Sequence, residues 1–275
     1  MTYAPITVLA RRTLLDALEA LTTQRDALVL AGAQAIYLYT GDADVPIDTR
    51  TKDSDLVLVP ALLADDPRIE QSMADGGFWH DQTRQQPGEW SAGEDEPPVE
   101  LLVPAALHAG GGRRGARIPP HSKYAARVVP GLEAAAVSSR LTDVPSLEPA
   151  VDARVITIRV ASPAALLVAK AFKIGERHRE NPGRLLDKDA HDIYRLLRAV
   201  PTADVASGLR TVLASDLAAP VARQALAWLR ELTGESAALL PTMAGRAERL
   251  AGDPRAVADA TWVLVQDVLD ALTAE

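Results

Sequence analysis

The feature that most constrains how this chain can fold is a change of character at Ser162-Pro163. Upstream, short apolar or β-branched runs each stop at a glycine or proline. Downstream, almost every segment repeats its apolar residues at helical spacing. A strand buries alternate side chains and a helix buries a stripe, so the two halves need different packing partners. The expectation is an α+β chain: a mixed-sheet domain over residues 1–160, then an all-helical domain over 161–275. A length of 275 residues allows this, at roughly 150 residues per domain.

Within the first half, Leu14, Leu15, Leu18 and Leu21 are spaced for a helix over 11–22. Ala27 to Ala31 reads as a strand that meets a tight turn at Gly32 and passes into a helix through Ile36 and Tyr37. A polar connection from Asp42 to Thr51 leads to a second strand, Asp53 to Val59, stopped by Pro60. The acidic stretch from Asp75 to Pro98 reads as loops or a hairpin, with Phe78-Trp79 and Trp90 as anchors into the core. Val99 to Val103 makes a third strand, and Ala153 to Val160 alternates as a further one. In the second half, Ser162 is an N-cap with proline at the first helical position. Helices are expected over 163–180, 187–199, 203–214, 219–233, 235–251 and 254–272.

Charge is distributed unevenly along the chain. The formal net charge is −8, and residues 61–100 alone account for it, with ten acids against Arg68 and Arg84. From Leu101 to Leu132 there is no acid, while Arg113, Arg114, Arg117, Lys123 and Arg127 form a basic strip. Gly110 to Gly115 around its first arginines reads as a flexible loop. Such a strip can hold a polyanion on an acidic protein, or it can be a solvated surface. The chain has no cysteine, which removes disulfides, thiolate metal sites and thiol nucleophiles. Asp16 and Glu19 break the apolar stretch behind Arg11 and Arg12, and no run of about 18 apolar residues follows, so no signal peptide or membrane span is expected. The expected setting is cytoplasmic.

Two residue patterns carry candidate chemistry. Asp53 and Asp55 are two apart on a predicted strand, so both carboxylates share a face about 7 Å apart along the chain. Mg²⁺ binds through one or two carboxylates plus the phosphates of a nucleotide, which such a pair suits; a solvated strand end is the plainer alternative. The strand–Gly32-Ala33–helix turn upstream offers free backbone N–H groups to a phosphate. Glu100 opens an otherwise apolar strand, where a charge is costly unless exposed or used. On the helix from Pro163, Lys170, Lys173 and Arg177 line one face at i, i+3 and i+7, and on the next helix Asp189 and Asp192 share a face. That arrangement can meet a triphosphate, or the two helices can simply be laced by salt bridges. The five histidines lack zinc-site spacing, and His191 reads as a helix-surface residue.

The order strand–Gly-Ala–helix, then Arg50-Thr51-Lys52-Asp53-Ser54-Asp55-Leu56, then an acid on a later strand, resembles the nucleotidyltransferase superfamily related to DNA polymerase β. The superfamily's usual Gly-Ser is Gly-Ala here, so Ala33 lacks the hydroxyl. With Lys170, Arg177 and the segment Lys188-Asp189-Ala190-His191-Asp192-Ile193 following in order, the chain is similar to the AbiEii and MenT group of nucleotidyltransferase toxins. The resemblance spans roughly residues 26–195. It implies a polymerase β-like N-terminal domain and transfer of a nucleoside monophosphate from an NTP to the 3′ end of tRNA, dependent on Mg²⁺, with Mn²⁺ as a substitute. It further implies Asp53, Asp55 and Glu100 as metal ligands, Lys170 as the triphosphate clamp and Asp189 or Asp192 as the last acid. Nucleotide contacts would come from Gly32, Ala33, Arg50, Thr51 and Lys173, and RNA contacts from Arg113, Arg114, Arg117, Lys123 and Arg127. A toxin of this kind would have a cognate antitoxin and no membrane partner. A small-molecule acceptor, or a non-catalytic nucleotide-binding module, are the competing readings.

Overall fold

A computed structural model describes residues 3–41, 54–80, 86–108, 110, 115–249 and 252–273. The chain forms two compact units, one of Met1–Ala35 and Thr49–Ala161, the other of Ile36–Asp48 and Ser162–Glu275. It is α+β, with a mixed open sheet in the first unit and helices throughout the described part of the second.

The first unit opens with helix α1 (Pro5–Ala20), which starts six residues before the leucine spacing announces it because Pro5 occupies the first helical turn, where its missing N–H costs nothing. Strand β1 (Leu28–Ala31) follows, then helix α2 (Gly32–Thr40), which begins in the first unit and ends in the second. The other strands are β2 (Ser54–Leu58), β3 (Glu89–Trp90), β4 (Val99–Pro104), β5 (Arg127–Val129), β6 (Ser139–Pro145) and β7 (Val155–Ala161). Two short helices, α3 (Ile69–Asp75) and α4 (Glu133–Val137), lie between them. The sheet order is β3-β4-β2-β1-β7-β6, with β5 also pairing β4. β1 sits between β2 and β7, and all four of its residues are buried, which is why Leu28-Val29-Leu30-Ala31 reads as an unbroken apolar run.

Alternation decides the outer part of the sheet. On β7, Ile156, Ile158 and Val160 point inward while Val155, Thr157 and Arg159 are exposed. Its antiparallel neighbour β6 has only Val144 buried, so its sequence Ser-Arg-Leu-Thr-Asp-Val-Pro carries almost no apolar signal, and sequence reasoning misses it. β3 and β5 are too short to show a period. Of the expected aromatic anchors, Phe78 and Trp90 are buried, and the Trp90 indole N–H donates to the Ala125 carbonyl at 3.0 Å. Trp79 is 46% exposed and is not an anchor.

The second unit continues α2 with α5 (Pro163–Glu180), α6 (Asp187–Ala199), α7 (Thr202–Leu213), α8 (Ala219–Leu232), α9 (Leu239–Glu248) and α10 (Pro254–Thr273). The Ser162 hydroxyl caps α5 by accepting from the Ala165 N–H at 3.2 Å, as its Ser-Pro start predicts. α5 packs against α6, α7 and α8, while α9 and α10 close over α6. α9 is shorter than the expected 235–251. Pro241 lies in its first turn and would clash with a helical carbonyl four residues upstream, so the helix cannot begin as early as Glu235.

The junction between β1 and α2 is set by one residue. Gly32 takes φ +64°, the left-handed region, and a Cβ there would collide with the Asp55 carboxylate. Gly32→Ala should therefore destabilise the protein by about 2 kcal/mol or more, combining backbone strain with the clash. Adding Asp55→Ala should recover part of that loss, read as the urea midpoints of both variants.

Candidate functional site

In the first unit, sheet register builds a row of acids. β1 pairs antiparallel with β2 so that Ala31 faces Asp55, and β2 pairs parallel with β4 so that Asp55 stands beside Glu100. Glu89 on β3 faces Glu100 in turn. Register partners project to the same face, so Glu89, Glu100 and Asp55 line one side of three neighbouring strands. The alternate residue Ser54 points the other way, where its hydroxyl donates to the Ala10 carbonyl of α1 at 3.4 Å. The Asp55 carboxylate lies directly over the left-handed Gly32 at the start of α2. Glu100 is bound by Arg127, whose Nη2 donates to Oε2.

Asp53, Arg50 and Thr51 lie outside the described residues, as do Arg113 and Arg114. Ala33 is described and follows Gly32 in the first turn of α2. Among the described residues, no three carboxylate or imidazole groups are gathered so as to hold a metal ion. Of the basic strip, Arg117 and Lys123 are exposed, and the Lys123 ammonium stands 5.1 Å from the ring centre of exposed Tyr124. The strip is fastened to α3 by His121 Nδ1, which accepts from the Ile69 N–H at 3.2 Å, and by the Ser122 N–H, which donates to Glu70 at 3.0 Å. Burial lowers the His121 pKa, against the opposing pull of Glu70 and Asp65.

In the second unit the cationic stripe and the acidic helix meet. Lys170 Nζ donates to Asp189 Oδ1 at 2.8 Å and to Asp192 Oδ2 at 2.7 Å. Lys173 Nζ reaches Asp189 Oδ1 at 3.0 Å, and Arg177 Nη1 reaches Asp189 Oδ2 at 3.1 Å. Asp189 is thus the hub shared by all three cations, with its side chain 1% exposed, whereas the Lys173 side chain remains 39% exposed. The salt-bridge alternative raised by the sequence is therefore a physical fact of these two helices.

Burial alone would drive Lys170 to lose its proton, but the charges of Asp189 and Asp192 outweigh it and hold the ammonium well above the ordinary lysine pKa. Burial likewise opposes ionisation of Asp189, and the charges of Lys170 and Lys173 overcome it, pulling the carboxyl below the usual aspartate range.

His191 is not a surface residue. It is buried, and its Nε2 meets Glu248 Oε2 of α9 at 2.6 Å, because α9 and α10 cover the face that helical spacing leaves polar. Arg195 escaped sequence reasoning altogether. It is 1% exposed, donates from Nη2 to the Thr40 hydroxyl at 2.9 Å and stands 4.9 Å over the Tyr37 ring. All residues from Asp189 to Leu197 are buried, and a helix buried on every side gives its polar residues no sequence signature that separates them from a solvated face.

No family model, curated protein or solved structure matches the chain. Among the described residues, no helix is long and apolar enough to cross a membrane.

The depressed Asp189 pKa makes its ion pairs a source of stability that is whole above the unfolded aspartate pKa, near 3.9, and lost as pH falls through the folded value. The raised Lys170 pKa contributes stability that is whole below about pH 10.4 and fades as pH rises through the folded value. Asp189→Asn should cost about 3–5 kcal/mol at neutral pH, since it leaves buried cations short of their counter-charge. It should also flatten the acid limb of a plot of unfolding free energy against pH.

Proposed function

We propose that the protein is a divalent-metal-dependent nucleotidyltransferase that moves a nucleoside monophosphate from an NTP to the 3′ end of a tRNA. The single observation that carries this reading is the packing of the Asp55 carboxylate onto left-handed Gly32 at the head of α2, with Glu100 in register beside it. A carboxylate held against the N-terminus of a helix puts a metal ligand next to backbone N–H groups suited to phosphate.

In this reading Asp55 would hold the ion. Mg²⁺ needs one or two carboxylates and takes its remaining ligands from phosphate and water, which Asp55 together with Asp53 two residues earlier can satisfy. Bound there, Mg²⁺ or Mn²⁺ would supply Lewis acidity at the reacting phosphate. The 3′ hydroxyl gives up its proton to water, its oxygen forms a bond to the α-phosphorus, the bond from that phosphorus to the α,β-bridging oxygen breaks, and pyrophosphate leaves with the electron pair. In this reading the chain's own residues do the following. The N–H groups at Gly32 and Ala33 donate to phosphate oxygens. Lys170, held by Asp189 and Asp192, keeps α5 and α6 in place. Arg117 and Lys123 contact the RNA backbone. Capping a tRNA end in this way would block its aminoacylation, the action of a toxin kept in check by a cognate antitoxin.

A non-catalytic nucleotide-binding module is the second reading. It is favoured by the burial of Lys170 and its ion pairs to Asp189 and Asp192, which occupy two of the three ammonium N–H groups.

The test is incubation of the purified protein with each labelled NTP, Mg²⁺ and total tRNA. Label should enter tRNA with one or more nucleotides, and Asp55→Asn should reduce it by about 100-fold. Arg117→Ala with Lys123→Ala should weaken labelling of tRNA; if those changes leave transfer untouched and a small hydroxyl compound is labelled instead, the acceptor is not RNA. Binding of NTP without any transfer would establish the non-catalytic module.

A further inference from the structure

Tyr124 is an aromatic residue that the fold keeps out of its core and yet holds in place. It is 45% exposed, while Ala125 and Ala126 after it are buried. Its carbonyl accepts from the Gly88 N–H at 2.9 Å, and its own N–H donates to the Ser122 hydroxyl at 3.2 Å. The Ala125 carbonyl takes the Trp90 indole N–H. Gly88 comes this close because it has no Cβ: at φ +80°, a side chain there would strike the Leu101 carbonyl and the Arg127 amide nitrogen. The segment carrying Arg117 runs alongside, with the Ala116 N–H donating to the Ala126 carbonyl at 2.9 Å and Gly115 bridged to Arg127. A tyrosine ring thus stands in solvent on backbone that is hydrogen-bonded through its neighbours, so little conformational freedom is lost when a flat ligand lies against it.

Positive charge accompanies the ring. Lys123 Nζ stands 5.1 Å from its centroid, and Lys123 and Arg117 are both exposed. Among the described residues, no carboxylate forms an ion pair with either of them. Arg127 is held by Glu100, Glu70 accepts from the Ser122 N–H, and no acid occurs between Leu101 and Leu132. A flat apolar face beside two cations complements an unpaired nucleotide, which brings a base and a phosphate together. A duplex offers less, because its bases are already stacked on one another. An acidic peptide would engage the cations and leave the ring idle. We propose that Tyr124 is the stacking platform for an unpaired base of the acceptor RNA, with Lys123 and Arg117 on the flanking phosphates. This rests on the RNA-directed reading above and adds selectivity to it: the strip takes a single-stranded end in preference to a helical stem.

The experiment uses the full chain and two fluorescent probes followed by anisotropy, a short unstructured RNA oligonucleotide and an RNA duplex of the same length. Wild type should prefer the unstructured RNA. Tyr124→Ala should weaken that RNA on the order of tenfold, the loss of one stacked base, and leave the duplex unchanged. Tyr124→Phe, which keeps the ring, should stay near wild type, and thermal melting establishes that each variant is folded. Trp79→Ala, which removes an exposed aromatic from the acidic part of the chain, should have no effect. Arg117→Ala with Lys123→Ala should weaken both probes and lower the slope of log affinity against log salt by roughly 1 to 2, whereas Tyr124→Ala should leave that slope as it is.

The inference is overturned if wild type binds no RNA, if Tyr124→Ala binds the unstructured RNA like wild type, if Tyr124→Phe loses as much as Tyr124→Ala, or if Tyr124→Ala weakens both probes equally. A poly-glutamate peptide that competes as well as the RNA, with binding that needs the two cations but not the ring, assigns the strip to an acidic protein partner and likewise overturns it. The outcomes are separable from those of the parent reading. Transfer of nucleotide by wild type, with RNA affinity indifferent to Tyr124, removes this inference alone. Tyr124-dependent binding of unstructured RNA without any transfer keeps the stacking platform and removes the nucleotidyltransferase.

Discussion

The left-handed backbone at Gly32 is the constraint on which the arrangement of the sheet end depends. It stops β1 at the centre of the sheet and begins α2. It also leaves the space that the Asp55 carboxylate fills. Any side chain at that position would meet the Asp55 carboxylate, which the antiparallel register of β1 with β2 brings opposite Ala31. A junction this tight ties a strand end, a helix start and an acid together through backbone geometry, with no need for a large side chain.

Charge is handled inside each unit by local pairing. Asp189 gathers Lys170, Lys173 and Arg177 onto one nearly inaccessible carboxylate, so α5 and α6 are joined by a cluster whose members each need the others. Such clusters add little net stability compared with apolar packing of the same volume, but they punish any loss of a partner and so fix how two helices register. The sheet unit uses the same device at its surface, where Arg154 bonds Asp152 next to its own strand and Asp16 and Glu19 on α1. Glu100 and Arg127, on the paired strands β4 and β5, are a third case.

Much of the fold was legible because its elements announce themselves locally. Ser162-Pro163 starts α5 at the expected residue, the helix over Asp187–Ala199 appears with the expected bounds, and β4 and β7 follow their apolar or alternating runs closely. What escaped was whatever lacked a period of its own. β6 is held by its ladder to β7 while its side chains look outward, and β3 and β5 are too brief to repeat anything. For the candidate site, the spacing of Lys170, Lys173 and Arg177 and of Asp189 and Asp192 was visible, and the helices do bring the two sets together. His191 was misjudged and Arg195 missed, because the same polar residues on a helix suit water or a neighbouring helix equally well.

The sequence by itself determined where elements begin and end: a serine hydroxyl and a proline ring open α5, a glycine permits the turn after β1, and apolar periodicity chooses strand or helix. These are interactions within a few residues, so their causes are written along the chain. Only tertiary structure decided which charge meets which. Asp55 and Glu100 are forty-five positions apart and become neighbours through sheet register, and Glu100 takes Arg127 because β5 pairs β4. The physical reason is range: hydrogen-bonded turns and caps act between near neighbours, whereas an ion pair requires only proximity in space, which the packing of whole elements supplies.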